Sequence, residues 1–140
     1  MQVTRPDLIQ TIGAALSSSG AATSDFDLNP DIKLPVGRVL RPAAVLIPIT
    51  LTSGRAEVLL TMRSSQLRHH PGQIAFPGGK QDTGDATLVD AALRESAEEI
   101  GLPHGIADIL GELPPHETVT GFKVTPFVGW ITADFDTIAE

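Results

Sequence analysis

Apolar residues recur at helical spacing near the amino terminus, where Leu8, Ile9, Ile12, Ala15 and Leu16 share one face. Thr4 and Asp7 stand at capping-box spacing, with Asp in place of the preferred Glu or Gln, and Pro6 suits a first helical turn. Ser17-Ser18-Ser19-Gly20 ends this short amphipathic helix. Residues 21–42 carry Pro30, Pro35, Gly37 and Pro42 with no period, and read as an irregular connection packed on the domain. We take residues 1–42 as a structural extension; the functional alternative is a lid or a dimer element, and with it a homodimer.

At Ala43 the pattern changes. The run 43–51 is apolar and rich in β-branched residues, Thr52-Ser53-Gly54-Arg55 reads as a turn, and 57–63 as a second strand closing a hairpin. Pro48 removes a ladder donor, so the first strand is expected at a sheet edge or bulged at that point. A third, short strand over 73–76 is closed by Pro77-Gly78-Gly79. A helix lies within 85–102, and 106–113 and 124–131 read as further strands. Strands around one strong helix predict an α/β domain, helices packed on a mixed sheet.

The length of 140 residues suits one domain, with ~68% of its unfolded surface buried. A net charge of -7 gives no general attraction for nucleic acid or anionic membrane, so a phosphate partner must meet a local basic patch or metal ions. With no cysteine, disulfides, thiolate metal sites and cysteine nucleophiles are excluded. No apolar run approaches the ~20 residues that cross a bilayer, and the amino terminus lacks a secretory pattern. The expectation is a cytoplasmic protein acting on a small molecule.

The helix within 85–102 carries the chemistry. At about 100° per residue Val89, Leu93, Ala97 and Ile100 fall on one side, while Glu95, Glu98 and Glu99 fall within about a 100° arc opposite. Gly101 is the expected C-terminal cap. Like charges at this spacing cost ~0.2–0.5 kcal/mol per pair, and the helix dipole adds ~0.3–1 kcal/mol per misplaced charge. Arg94 offsets part of that; a divalent cation offsets more, and Mg²⁺ or Mn²⁺ select carboxylate oxygens. Just upstream, Phe76-Pro77-Gly78-Gly79-Lys80 reads as a turn whose paired glycines permit positive φ and close approach to a ligand or metal.

These residues resemble the Nudix hydrolases. Gly79, Asp85 and Arg94-Glu95-Ser96-Ala97-Glu98-Glu99-Ile100-Gly101-Leu102 follow the family signature, with three departures. Asp85 stands for the usual Glu, one extra residue separates it from Arg94, and Ser96 replaces an apolar residue. The departures are similar to the coenzyme A diphosphatase branch, whose upstream signature matches 59–64, Arg68, Gly72, 76–79, Asp82 and Asp85. The resemblance implies a Nudix fold over 43–140, a mixed β-sheet sandwiched between helices, of which the chain carries the first part. It implies metal-dependent hydrolysis of the diphosphate of coenzyme A or its thioesters. Glu95, Glu98 and Glu99 then bind Mg²⁺ or Mn²⁺, joined by a carbonyl at Gly78 or Gly79, and Arg94 orients the glutamates and pairs with Asp85.

The resemblance also implies that Lys80 and the two glycines line the substrate; Arg63 and Arg68 are expected to help hold its 3′-phosphate-bearing ADP half, since Arg offers a planar fork to phosphate, with plain surface solvation as the alternative. His69 and His70 read as exposed loop residues, with phosphate binding or proton shuttling as the functional alternative. Glu117, beside His116, reads as an ordinary loop carboxylate, with a general base as the functional alternative. Other readings are hydrolysis of another nucleoside diphosphate derivative such as ADP-ribose, or a non-catalytic binding domain.

Overall fold

The computed structural model describes residues 4–17, 20–24, 39–62 and 74–136. Helix α1 (Arg5–Ser17) starts as the sequence suggests: Thr4 Oγ1 accepts the Asp7 backbone N–H at 3.3 Å and donates to the Asp7 carboxylate at 2.6 Å. The chain continues through β1 (Thr23–Ser24), β2 (Arg41–Thr52), β3 (Arg55–Val58), β4 (Thr61–Met62), β5 (Ile74–Ala75) and β6 (Gly78–Lys80). Helix α2 (Leu88–Ile100), β7 (Ala107–Glu112), β8 (His116–Glu117) and β9 (Phe122–Ile131) complete it. One sheet runs β1-β8-β9-β2-β3, with β6 also on β2 and β7 also on β9, while β4 and β5 pair separately. Its spine is the parallel pair β2–β9, in register from Arg41 opposite Phe122 to Ile49 opposite Trp130.

Successive strand residues point to opposite faces, and that alternation explains the layers. Ala44 and Leu46 of β2 and Phe127 and Ile131 of β9 join Ala91, Ala92, Ile100 and Leu102 in one buried cluster, so α2 covers this face. Val128 and Trp130 point the other way. There Arg5 lies 5.6 Å from the Trp130 ring centroid, and Leu16 occupies the space beside Gly111, the residue opposite Val128. Helix α1 therefore covers the second face, and the sheet is sandwiched as expected. Among the described residues no helix is long and apolar enough to cross a membrane.

Five expectations are corrected. Strand β2 lies inside the sheet and its register with β9 runs unbroken past Pro48. Leu46 N donates to Pro77 O, so the N–H that proline lacks two residues on would face the same flank, where the neighbour changes from β6 to β3. The Pro48 carbonyl accepts from Leu59 N at 3.0 Å. The strand expected over 57–63 breaks after Val58, because the chain leaves β2 and pairs with β5 instead. Gly78 and Gly79 form strand β6 rather than a turn, and neither has positive φ. Residues 23–24, read as irregular, pair in parallel with β8, and His116 and Glu117, read as a loop, form β8 itself.

The α2 face holds the expected apolar side, with Ile100 buried and Val89 and Leu93 packed against the core, and adds small residues to it. Its helix begins at Leu88, where Thr87 Oγ1 accepts from Asp90 N and the Asp90 carboxylate accepts from Thr87 N, a reciprocal cap. It ends at Gly101, φ 76°, as expected. The innermost residues are Ala91, Ala92 and Ser96, each at most 1% exposed, and Ala91 lies within the arc that carries the glutamates. Small side chains let that arc approach the sheet, so Glu95 is turned onto Gly79 of β6 while Glu98 stays exposed. Ser96 tolerates burial because its hydroxyl donates to Ala92 O at 2.7 Å.

Candidate active site

Arg94 is the hub of the site. Its Nε donates to Asp85 Oδ1 at 3.0 Å and its Nη2 to Asp85 Oδ2 at 3.0 Å, a bidentate fork. Nη1 donates to Glu95 Oε1 at 3.0 Å, and Nη2 reaches the Lys80 carbonyl at 3.3 Å. Glu98 Oε2 and Asp82 Oδ2 lie 3.6 and 3.5 Å away. One guanidinium thus ties the end of β6, the 81–85 loop and two of the helix glutamates together.

The Asp85 side chain is only 6% exposed, and its hydrogen bonds from Arg94 and from Asp82 N hold its carboxyl below the ordinary value of 3.8. The same contact to Asp85, followed by Glu95, raises Arg94 further, so its charge is permanent. Substituting Asp for Glu and adding one residue therefore leaves the pair intact. The loop takes up the difference, held by Asp85 N to Asp82 O at 3.0 Å and Gln81 Nε2 to Asp85 O at 3.1 Å.

The glycines act by absence of a side chain. A Cβ on Gly79 would stand 2.9 Å from Glu95 Cδ and 3.0 Å from Glu95 Oε1, so the carboxylate rests in a notch over the Gly79 backbone. A Cβ on Gly78 would meet the backbone of Ala44 and Val45. Close approach, and not left-handed backbone, is what these positions require.

Of the sequence-expected residues, the fold brings Arg94, Glu95, Glu98, Gly79, Lys80 and Asp85 to one place. Glu99 lies half-buried on the same helix arc. Among the described residues no three acidic or histidine side chains already converge as a metal cage. The donors nevertheless fit a hard divalent cation: Glu95 oxygens lie directly against a backbone notch that a methyl group would fill, one turn from Glu98 and Glu99. Arg63, Arg68, His69, His70 and Gly72 lie outside the described residues. His116 Nδ1 is 2.7 Å from Thr23 Oγ1, and Glu117 is half-buried opposite Lys123, so Glu117 is no exposed loop carboxylate.

Arg41 escaped the sequence reading. It lines an open cleft of about 590 Å³ together with Lys80, Asp82, Asp85 and Arg94. Its signal, an isolated Arg before an apolar strand, carries no motif.

Residues 40–138 match the family model of the NUDIX domain. A protein of Enterobacter sp. (strain 638), described as "Uncharacterized Nudix hydrolase NudL", is 53% identical over 94 residues, which are 67% of this chain and 48% of that protein. The chain spans about half the length of the curated relatives it matches. Among solved structures, the M. smegmatis Nudix hydrolase RenU aligns with TM-score 0.59 and 23% identity over 76% of this chain and 74% of its own. A C. elegans Ap4A hydrolase in binary complex aligns with TM-score 0.60 and 21% identity over 70% and 71%. The family match covers both the sheet and the Arg94-centred helix, and the chain belongs to the Nudix family.

Proposed function

We propose that this chain carries a metal-dependent diphosphatase site that hydrolyses coenzyme A or its thioesters to 3′,5′-ADP and (acyl-)4′-phosphopantetheine. Water adds across the P–O–P linkage, one phosphorus taking the hydroxyl and the other leaving as a phosphate. The observation that carries this reading is the double grip of Arg94, bidentate on Asp85 and at 3.0 Å from Glu95. Such bracing sets a carboxylate before any ligand arrives, which is where preorganised sites gain rate.

Glu95, Glu98 and Glu99, with a carbonyl at Gly79 or Gly78, would hold Mg²⁺ or Mn²⁺. Bound there, the cation would supply the positive charge an acidic chain lacks, polarise a phosphoryl oxygen and make a bound water more acidic. Arg94 stays on the protein side, fixing Glu95, and Asp85 fixes Arg94. Lys80 and the Gly78–Lys80 backbone border the substrate. The upstream residues Arg63 and Arg68 are assigned to the ADP half on the strength of their motif positions alone. A small-molecule substrate and a cytoplasmic location complete the reading.

Titration calorimetry with Mg²⁺ and Mn²⁺, paired with product analysis on coenzyme A and ADP-ribose, tests it on the 140-residue chain. Glu99→Gln is expected to weaken metal uptake at least tenfold and to abolish turnover of coenzyme A. Turnover of ADP-ribose without coenzyme A would move the substrate to another nucleoside diphosphate derivative. No metal uptake, or metal uptake and hydrolysis indifferent to Glu99→Gln, would leave a non-catalytic binding domain and overturn the proposal.

A further inference from the structure

A chain of net charge -7 must place positive groups where a polyanion docks. Most described basic residues are committed elsewhere. Arg94 is shared among Asp85, Glu95, Glu98 and Asp82, Lys123 stands opposite Glu117, Arg5 lies over Trp130, and Arg55 starts β3 at the hairpin turn. Arg41 and Lys80 differ from the other exposed basic residues in their place: both line the cleft beside Arg94.

The geometry makes them a pair. Lys80 is opposite Ala43 in the β2–β6 ladder, and Arg41 is two residues from Ala43, so both belong to one face, opposite that of Gly79 and α2, and reach Arg94 around β6 where the cleft opens. The Arg41 guanidinium lies 4.3 Å from the Phe122 ring centroid. A ring under its plane steadies the fork and leaves its N–H edge available to an anion. The loop wall is pinned by Gln81 N to Pro42 O at 3.0 Å and Asp82 N to Asp85 Oδ2 at 2.9 Å. Asp82 also faces the cleft, 3.5 Å from Arg94 Nη2. The Lys80 carbonyl and Glu95 share the Arg94 guanidinium, so the cleft reaches the residue that braces a carboxylate assigned to the metal.

We propose that Arg41, seated on Phe122, and Lys80 form the subsite for a phosphomonoester carried by the nucleoside half of the substrate. This rests on the diphosphatase reading and deepens it: coenzyme A carries such a phosphate on its nucleoside half, and Arg41 and Lys80 join the motif residues Arg63 and Arg68 as the groups that select it.

Calorimetry with adenosine 3′,5′-bisphosphate and AMP on the 140-residue chain tests the subsite without turnover. The chain is expected to prefer the bisphosphate, and Arg41→Gln to weaken that ligand about tenfold more than AMP, the value of one charge-assisted contact. Arg41→Lys recovers part of the preference, since charge stays and the fork is lost. Arg55→Gln removes an equal charge from β3, opposite the far end of β2, and leaves the preference unchanged. If Arg41→Gln does not fold, Lys80→Gln decides by the same comparison. Equal affinity of the unmodified chain for the two ligands, or a preference that survives the deciding variant, overturns the subsite.

Turnover of coenzyme A against dephospho-coenzyme A separates the two claims. A preference dependent on Arg41 in a chain that hydrolyses neither compound sinks the diphosphatase reading and keeps the subsite. Hydrolysis without the preference does the reverse.

Discussion

Gly78 and Gly79 are adjacent, similarly extended and both half-buried, yet replacing each by Ala is expected to fail in a different way. The new methyl at 79 meets the Glu95 side chain, at 2.9 Å from Cδ and 3.2 Å from Cγ. That side chain can yield by rotation, but only by leaving its 3.0 Å contact with Arg94. The partners are 21% and 28% exposed, so the lost contact is screened and worth about 1 kcal/mol or less. Against it stands a gain of ~0.4–1 kcal/mol from stiffening the unfolded chain. Stability therefore stays within about 1 kcal/mol, a shift of roughly 2–4 °C at most in a domain of this size.

Activity is another matter. Displacing a reacting group by about 1 Å commonly costs ~10²-fold, and Gly79→Ala is expected to lose that much in kcat/KM on coenzyme A. At position 78 the methyl meets Val45 Cα at 2.6 Å, backbone in the central strand that cannot rotate away. Overpacking there is expected to cost about 3 kcal/mol, or roughly 6–12 °C in Tm. Thermal melts and steady-state hydrolysis on both variants check the contrast. A Gly79→Ala variant with unaltered kcat/KM, or a Gly78→Ala variant with unaltered Tm, would refute the reasoning from close approach.

Two further outcomes follow from the same geometry. The Asp85 carboxyl is held below 3.8 chiefly by Arg94, so its ionised form favours the folded state. That stability is fully present above about pH 4–5 and is lost as pH falls through the depressed folded value. Melting curves from neutral to about pH 2.5 should therefore show Asp85→Asn losing its deficit against the unmodified chain in acid; parallel curves would contradict the pairing. Ser96, fully buried with its hydroxyl already bonded to Ala92 O, should tolerate Ala within ~1 kcal/mol. Leu at the same position should cost ~1–3 kcal/mol in urea unfolding, because no space remains between α2 and the sheet.

Local chemistry was legible from residue order because it depends on near neighbours. Thr4 and Asp7 cap α1, Gly101 closes α2, and the apolar run from Ala43 makes a strand, each decided within a few residues. The motif spacing also placed Glu95, Glu98 and Arg94 together, since three- and four-residue separations on a helix fix adjacency whatever surrounds it. Pro48 was misread because a proline tells only that one donor is missing. Which flank lacks a partner depends on where β6 ends and β3 begins. The glycine pair was misread for a similar reason: its sequence permits a turn, while pairing with Ala44 and Val45 makes it a strand.

Two features belong to the tertiary structure alone. Glu95 of α2 meets β6 because Ala91, Ala92 and Ser96 are small enough for close packing, whereas apolar periodicity weighs hydrophobicity and not size. Arg41 reaches the cleft only because β2 runs between β6 and β9, bringing Phe122 and Lys80 from distant parts of the chain to its first residues. Residue order determined the helix, its caps and its charges through short-range geometry. The cleft and the inward turn of Glu95 were decided by long-range pairing, whose partners no local pattern names.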